Sequence, residues 1–119
     1  MSELPAPRTG GEILIDALRQ HDVDHVFGVP GESYLAALDA LYGARNQIRM
    51  ITCRQEGGAG FMAEAYGKFP GRPGICFATR GPGATNASIG VHTARQASTP
   101  MVLFVGQVSL GHRGLEAFQ

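Results

Sequence analysis

Ile51-Thr52-Cys53-Arg54-Gln55-Glu56-Gly57-Gly58-Ala59-Gly60 is the stretch on which the reading of this chain turns. Its apolar start predicts a strand, and Glu56 falls at that strand's carboxyl end. The glycines and alanines then open a helix with Phe61, Met62, Ala65, Tyr66 and Phe69 as its apolar positions. In open α/β sheets ligands bind outside the carboxyl ends of the strands, so a carboxylate here stands where a working group would be placed. Taken alone, it reads first as an ordinary favourable charge at a helix start, worth about 0.3 to 1 kcal/mol.

Outward from this stretch the strand-then-helix unit recurs. Upstream, His25-Val26-Phe27-Gly28-Val29 predicts a first strand stopped by Pro30-Gly31, and Ser33 begins a helix to about Tyr42, with Leu35, Leu38, Leu41 and Tyr42 at helical spacing and Gly43 as its stop. Before it, a helix over 11–21 is capped by Thr9 with Glu12 completing a capping box, and its apolar face is Ile13, Leu14, Ala17 and Leu18. Residues 1–9 are polar and proline-containing, and are expected to be a disordered tail before a domain over 10–119.

The second strand runs over 48–53, and the helix after Glu56 ends near Phe69 at the turn Pro70-Gly71-Arg72-Pro73. Ile75 to Thr79 is the third strand. Arg80-Gly81-Pro82-Gly83-Ala84-Thr85-Asn86 leads into a helix to about Ala97, and Met101 to Val105 is the fourth strand. That last helix carries Ala84, Ala87, Ser88, Gly90, Ala94 and Ala97, small residues that permit close approach of another element or subunit. Residues 106–119 read as an irregular active-site or linker segment.

The strands are continuous apolar runs, the pattern of parallel strands covered on both faces by helices. Short right-handed crossovers then give a three-layer α/β/α fold with a mainly parallel, flavodoxin-like sheet.

Bulk properties narrow the function. The 119 residues allow one domain, 44% are apolar, and ten basic residues balance ten acidic ones with no basic stripe. A nucleic-acid or membrane-surface role is therefore disfavoured, and a small ligand fits better. No run reaches the roughly 18 apolar residues of a membrane span, and the polar start is not a secretory signal, so a cytoplasmic setting is expected. Cys53 and Cys76 lie in apolar runs, where buried reduced thiols are the expectation.

Three strand ends carry special residues: Gly28 to Gly31, Gln55 to Gly58, and Thr79 to Asn86. Each alone is a routine turn or helix start. In a parallel sheet all three lie along one edge, and that convergence outweighs any of them singly. Gly81-x-Gly83 fails as a dinucleotide fingerprint because Asn86 stands at the third glycine and the next strand ends without an acidic residue. Gly67-Lys68 is followed by Phe69, so it is no P-loop. The four histidines show no zinc-ligand spacing, and there is no Gly-x-Ser-x-Gly elbow.

Phe27-Gly28-Val29-Pro30-Gly31, then Arg54-Gln55-Glu56-Gly57-Gly58-Ala59 with Ala63-Glu64-Ala65-Tyr66-Gly67, then Gly81-Pro82-Gly83-Ala84-Thr85-Asn86, resemble the N-terminal pyrimidine-binding domain of thiamine diphosphate enzymes, nearest the acetolactate synthase branch. The resemblance implies that Glu56 hydrogen-bonds a ring nitrogen of the cofactor's aminopyrimidine and favours the imino tautomer that deprotonates the thiazolium carbon. For that work desolvation in the crevice should favour the protonated carboxyl over the opposing pull of the helix start. It further implies that Pro30 and Gly31 approach cofactor and substrate, that Thr79, Pro82 and Asn86 lie near the pyrimidine ring, and that Phe118 and Gln119 border the substrate. Arg80 departs from the small hydroxyl residue common at its place.

The Gly-Asp-Gly motif that holds the diphosphate and Mg2+ in the family is absent, so the chain reads as a partial domain, inactive alone. In the family that site belongs to a separate domain. The resemblance implies a 2-oxo acid substrate, a diphosphate-binding domain from a partner subunit, and a homodimer or tetramer. The rival expectation is a non-catalytic assembly module of the same fold with a vestigial crevice. A nucleotide-binding redox domain stands third.

Overall fold

The computed structural model describes residues 6–69 and 71–119. The expected tail falls partly outside these, at residues 1–5; residues 6–8 are exposed and irregular, and Thr9 is already engaged as a cap. Its hydroxyl accepts from the Glu12 amide at 3.1 Å while the Glu12 carboxylate accepts from the Thr9 amide at 2.6 Å, the reciprocal pair expected of a capping box. Pro70 of the expected turn also lies outside the described residues.

Four strands form one sheet: β1 (His25–Gly28), β2 (Arg49–Thr52), β3 (Gly74–Ala78) and β4 (Met101–Val105), all parallel and ordered β2-β1-β3-β4. Four α-helices connect and cover them: α1 (Gly10–Gln20), α2 (Leu35–Gly43), α3 (Glu56–Gly67) and α4 (Pro82–Ala97). A 3-10 turn over Glu32–Tyr34 precedes α2, and another spans Leu110–His112. The chain leaves β1 to build β2 on one side and then returns to build β3 on the other. The carboxyl ends of β1 and β3 therefore flank a topological switch point, the usual place for a ligand crevice.

Alternation along the central strands makes the three layers. Val26, Ile75 and Phe77 join Ile15, Leu18, Tyr34, Ala37 and Leu41 under α1 and α2. Their neighbours Phe27 and Cys76 point the other way and pack with Cys53, Ala59 and Ala63 under α3. Both cysteines are free and buried. β3 is buried along its whole length and β1 along most of it, whereas β2 and β4 are half-exposed. The expectation of strands covered on both faces thus holds for the centre of the sheet and not for its borders.

The helix faces differ from those expected by periodicity. In α1 the buried residues are Gly11, Ile15 and Leu18, while Ile13 is 54% exposed. Gly11 sets that rotation, because a Cβ there would lie 2.2 Å from the Ala36 carbonyl oxygen of α2. In α2 the buried residues are Ala37 and Leu41, and Leu35 and Tyr42 face solvent. In α3, Phe61 and Met62 are exposed, whereas Gly57, Ala59, Gly60, Ala63, Glu64 and Gly67 are buried.

Close backbone approach explains α3. A Cβ on Gly90 of α4 would lie 2.5 Å from the Gly60 carbonyl carbon, and one on Gly74 would lie 1.7 Å from the Ala63 oxygen. Apart from Glu64, whose carboxylate accepts from Thr99 and pairs with Lys68, the buried residues of α3 are small because main chain meets main chain. The small-residue face of α4 is matched here by α3, as the close approach of another element required.

At the opposite end of the sheet from the switch point, Asp24 accepts hydrogen bonds from the Tyr66 hydroxyl and the Arg72 guanidinium. The Tyr66 bond above all, helped by Arg72 and opposed by burial, holds its carboxyl well below the usual carboxylate range. A group with a depressed folded-state pKa stabilises above its unfolded value and loses that contribution as pH falls through the folded one. Stability should therefore drop as pH falls below about 4, the unfolded carboxylate value, and Asp24→Asn should make that drop shallower. Urea unfolding of both proteins across the acid range checks this; parallel curves would contradict it.

Candidate functional site

The strand ends expected to converge do so. Glu56 is the first residue of α3, presented by the β2 end, and its N-cap Gln55 turns its side-chain oxygen back to the Gly58 amide at 3.1 Å. Asn86, from the start of α4, donates through Nδ2 to Glu56 Oε2 at 3.0 Å. Two loops 30 residues apart are thereby joined at the carboxylate itself. The other oxygen, Oε1, has no hydrogen-bond donor among the described residues.

Gly83 keeps the space beside that oxygen open. A Cβ there would sit 3.2 Å from Glu56 Oε1 and 2.8 Å from Thr79 Cγ2. Thr79, just past β3, shares a hydrogen bond of 2.7 Å with Ser33, so the loops after β3 and β1 are tied as well. Gly31 fits against the same threonine, since a Cβ on it would lie 3.0 Å from Thr79 Cβ and 3.2 Å from Tyr34 Cε1. Pro30 and Pro82 are exposed on the rim, Pro82 as the first residue of α4.

Beneath the loops lie two groups that feel the crevice carboxylate. Burial pushes the Tyr34 hydroxyl up to about 12, with smaller contributions from Cys76 and Glu56, and its proton is donated to the Val29 carbonyl. Burial likewise pushes the Cys76 thiol up to about 12, with Cys53 and Glu56 adding to it. Neither ionises near neutral pH, so this floor is an uncharged one and thiolate chemistry is not available at Cys76.

Glu56 itself is half-buried within this chain, less than the deep desolvation expected for it. Phe118 and Gln119 are exposed but reach the same edge. The Phe118 carbonyl accepts from Arg80 Nε at 2.8 Å, and Gln119 lies over Gly81, whose φ of +60° suits glycine. A Cβ on Gly81 would meet Gln119 Cβ at 3.5 Å. Every residue expected at the site thus lies on the one sheet edge, in two groups bridged by residues 79–83.

Sequence reasoning did not anticipate Ser33 and Glu32 as partners of that bridge, or Arg80 as a buried residue. The one local signal was a charged residue placed directly after an apolar strand. Among the described residues no group of three or more His, Cys, Asp or Glu could hold a metal ion, and no helix is long and apolar enough to cross a membrane.

Comparison with known proteins gives the same direction. The family described as thiamine pyrophosphate enzyme, N-terminal TPP binding domain, matches residues 8–119. The chain is 44% identical over 118 residues to the acetolactate synthase large subunit of Parasynechococcus marenigrum, covering 96% of this chain and 19% of that protein. It is 44% identical over 112 residues to the mitochondrial acetolactate synthase catalytic subunit of Aspergillus candidus, covering 94% and 16%. With the acetolactate synthase large subunit of Corynebacterium glutamicum the identity is 41% over 118 residues, covering 99% and 19%. The chain therefore spans under a fifth of the length of these relatives. With its parallel sheet, its three converging strand ends and this match along nearly all its length, the chain belongs to the thiamine pyrophosphate enzymes as an N-terminal TPP-binding domain of the acetolactate synthase-like branch.

Proposed function

We propose that this chain forms the aminopyrimidine-binding half of a thiamine diphosphate site, in a longer enzyme that decarboxylates a 2-oxo acid such as pyruvate and joins the remainder to a second carbonyl compound. The observation that carries the reading is the Glu56 carboxyl, with one oxygen oriented by Asn86 and the other without a donor among the described residues, beside the gap kept by Gly83. That is the arrangement a carboxyl needs to share a proton with a weakly basic ring nitrogen.

Thiamine diphosphate, when bound, would supply an electron sink for the negative charge left on the former carbonyl carbon as carbon dioxide departs. The chain's own residues prepare the site. Glu56 holds or gives up a proton at its free oxygen, Asn86 fixes the carboxyl's orientation, and Thr79, Pro82, Pro30 and Gly31 wall the ring's side of the crevice. Phe118 and Gln119 border the substrate. In this reading the diphosphate and its Mg2+ are held by another domain, contributed by a partner subunit of a homodimer or tetramer. That domain also covers the half-buried Glu56, and so supplies the desolvation that general acid-base work near neutral pH requires. A cytoplasmic setting, with both thiols reduced, belongs to the same reading.

The rival, a non-catalytic assembly module with a vestigial crevice, offers no reason for a carboxyl oriented by a neighbouring amide and left with one oxygen open. The test is consumption of pyruvate by the full-length protein with and without thiamine diphosphate and Mg2+. Turnover should require both; a protein that binds no thiamine diphosphate would overturn the proposal.

A further inference from the structure

The proposed chemistry leaves Arg80 without a role. Its side chain is only 7% exposed, and a guanidinium keeps its charge at any physiological pH, so its burial demands partners. It has two, one from earlier and one from later in the chain. Its Nη2 donates to Glu32 Oε1 at 2.7 Å, in the turn after β1, and its Nε donates to the Phe118 carbonyl at 2.8 Å. Glu32 is 59% exposed, so the acid stays hydrated at the rim while the base is covered.

The segment beyond β4 makes this pairing consequential. The last ladder contact is the Gly106 amide to the Ala78 carbonyl at 2.9 Å. Past it, apart from the Arg80 to Phe118 bond, the hydrogen bonds found for residues 107–119 are internal, such as Ser109 to His112 at 2.6 Å. Among the described residues, the Arg80 to Phe118 bond is the one hydrogen bond that ties this segment to the rest of the fold. Phe118 is 73% exposed, so its position is set through the main-chain bond and not by burial of its side chain.

We infer that Arg80 is a positioning residue: it clasps residues 107–119 to the sheet edge and so sets where Phe118 and Gln119 stand at the crevice mouth, and thereby which 2-oxo acid is accepted. The clasp rests on the geometry alone; its effect on the substrate rests on the function proposed above. A planar fork that serves two acceptors at once is specific to arginine. A lysine ammonium can satisfy one acceptor or the other but does not reproduce the geometry.

The experiment compares the full-length protein with its Arg80→Met, Arg80→Lys and Glu32→Gln variants by hydrogen exchange over residues 107–119 and by steady-state kinetics with pyruvate. Loss of one charge-assisted hydrogen bond is expected to speed exchange in that segment about tenfold in Arg80→Met, with the lysine variant between. KM for pyruvate should rise by a similar factor, while kcat and thiamine diphosphate affinity stay within about twofold. If Arg80→Met does not fold, Glu32→Gln, which spares the Phe118 bond, should show the same direction at smaller size. Unchanged exchange in the folded variants overturns the clasp. A fall in kcat at constant KM overturns the positioning role. If the unsubstituted protein shows no thiamine diphosphate-dependent turnover, the proposed function fails while exchange still decides the clasp.

Discussion

Glu56→Gln in the full-length protein is expected to lower thiamine diphosphate-dependent turnover by about 10²- to 10⁴-fold, the range over which a positioned acid or base acts. The substitution is a narrow one. Glutamine has the same shape, and its side-chain oxygen can still accept from Asn86 Nδ2, now at 3.0 Å from the carboxylate, so the loops after β2 and β3 stay joined. What disappears is the ability to trade a proton at the open oxygen. The structural cost is small by comparison, because losing a charge at the first position of α3 removes about 0.3 to 1 kcal/mol of helix-dipole stabilisation. Rates together with thermal melts separate the two effects. A variant that melts like the parent and retains its turnover would exclude Glu56 from the chemistry.

The second large effect is expected in stability. Gly90→Val should destabilise the fold by about 3 kcal/mol or more, since overpacking at a contact that cannot give lies at or beyond the upper end of such costs. A Cβ at Gly90 would stand 2.5, 2.6 and 2.8 Å from the carbonyl carbon, Cα and oxygen of Gly60, all of them main-chain atoms. No rotamer change relieves that; α3 and α4 must separate. Because Glu56 and Asn86 sit at the starts of these same helices, the separation also strains the bond between them. Gly58→Ala is the control: it lies in α3 with nothing within 4 Å of the added Cβ, and it should be neutral or gain about 0.5 to 1 kcal/mol. Urea unfolding of the two variants measures both, and equal midpoints would contradict the close-packed interface.

How much could be read beforehand depends on the kind of signal. The order of strands and helices followed from apolar runs punctuated by glycine and proline, and the edge on which Glu56, Thr79 and Asn86 meet followed from the strands being parallel. The buried faces of α1, α2 and α3 were less legible. Periodicity of large apolar residues counts Gly11, Gly60 and Gly90 as silent, yet it is at these glycines that backbones touch, turning Ile13, Phe61 and Met62 outward. The pairing of Arg80 with Glu32 was invisible for another reason. The partners are 48 residues apart, and nothing local in either stretch encodes the other. The depth of Glu56 could not be read from one chain's pattern at all, since the cover proposed for it comes from outside this sequence.

The strand order β2-β1-β3-β4 bears on how the molecule is made. As the polypeptide leaves the ribosome, each new strand finds its neighbour already synthesised: β2 and then β3 dock on either side of β1, and β4 docks on β3. The sheet can therefore grow outward during translation without waiting for a distant partner, which limits the time that apolar edges stand bare. The crevice does not share that advantage. Its contact between Arg80 and Phe118 forms only when the nascent chain has advanced past β4.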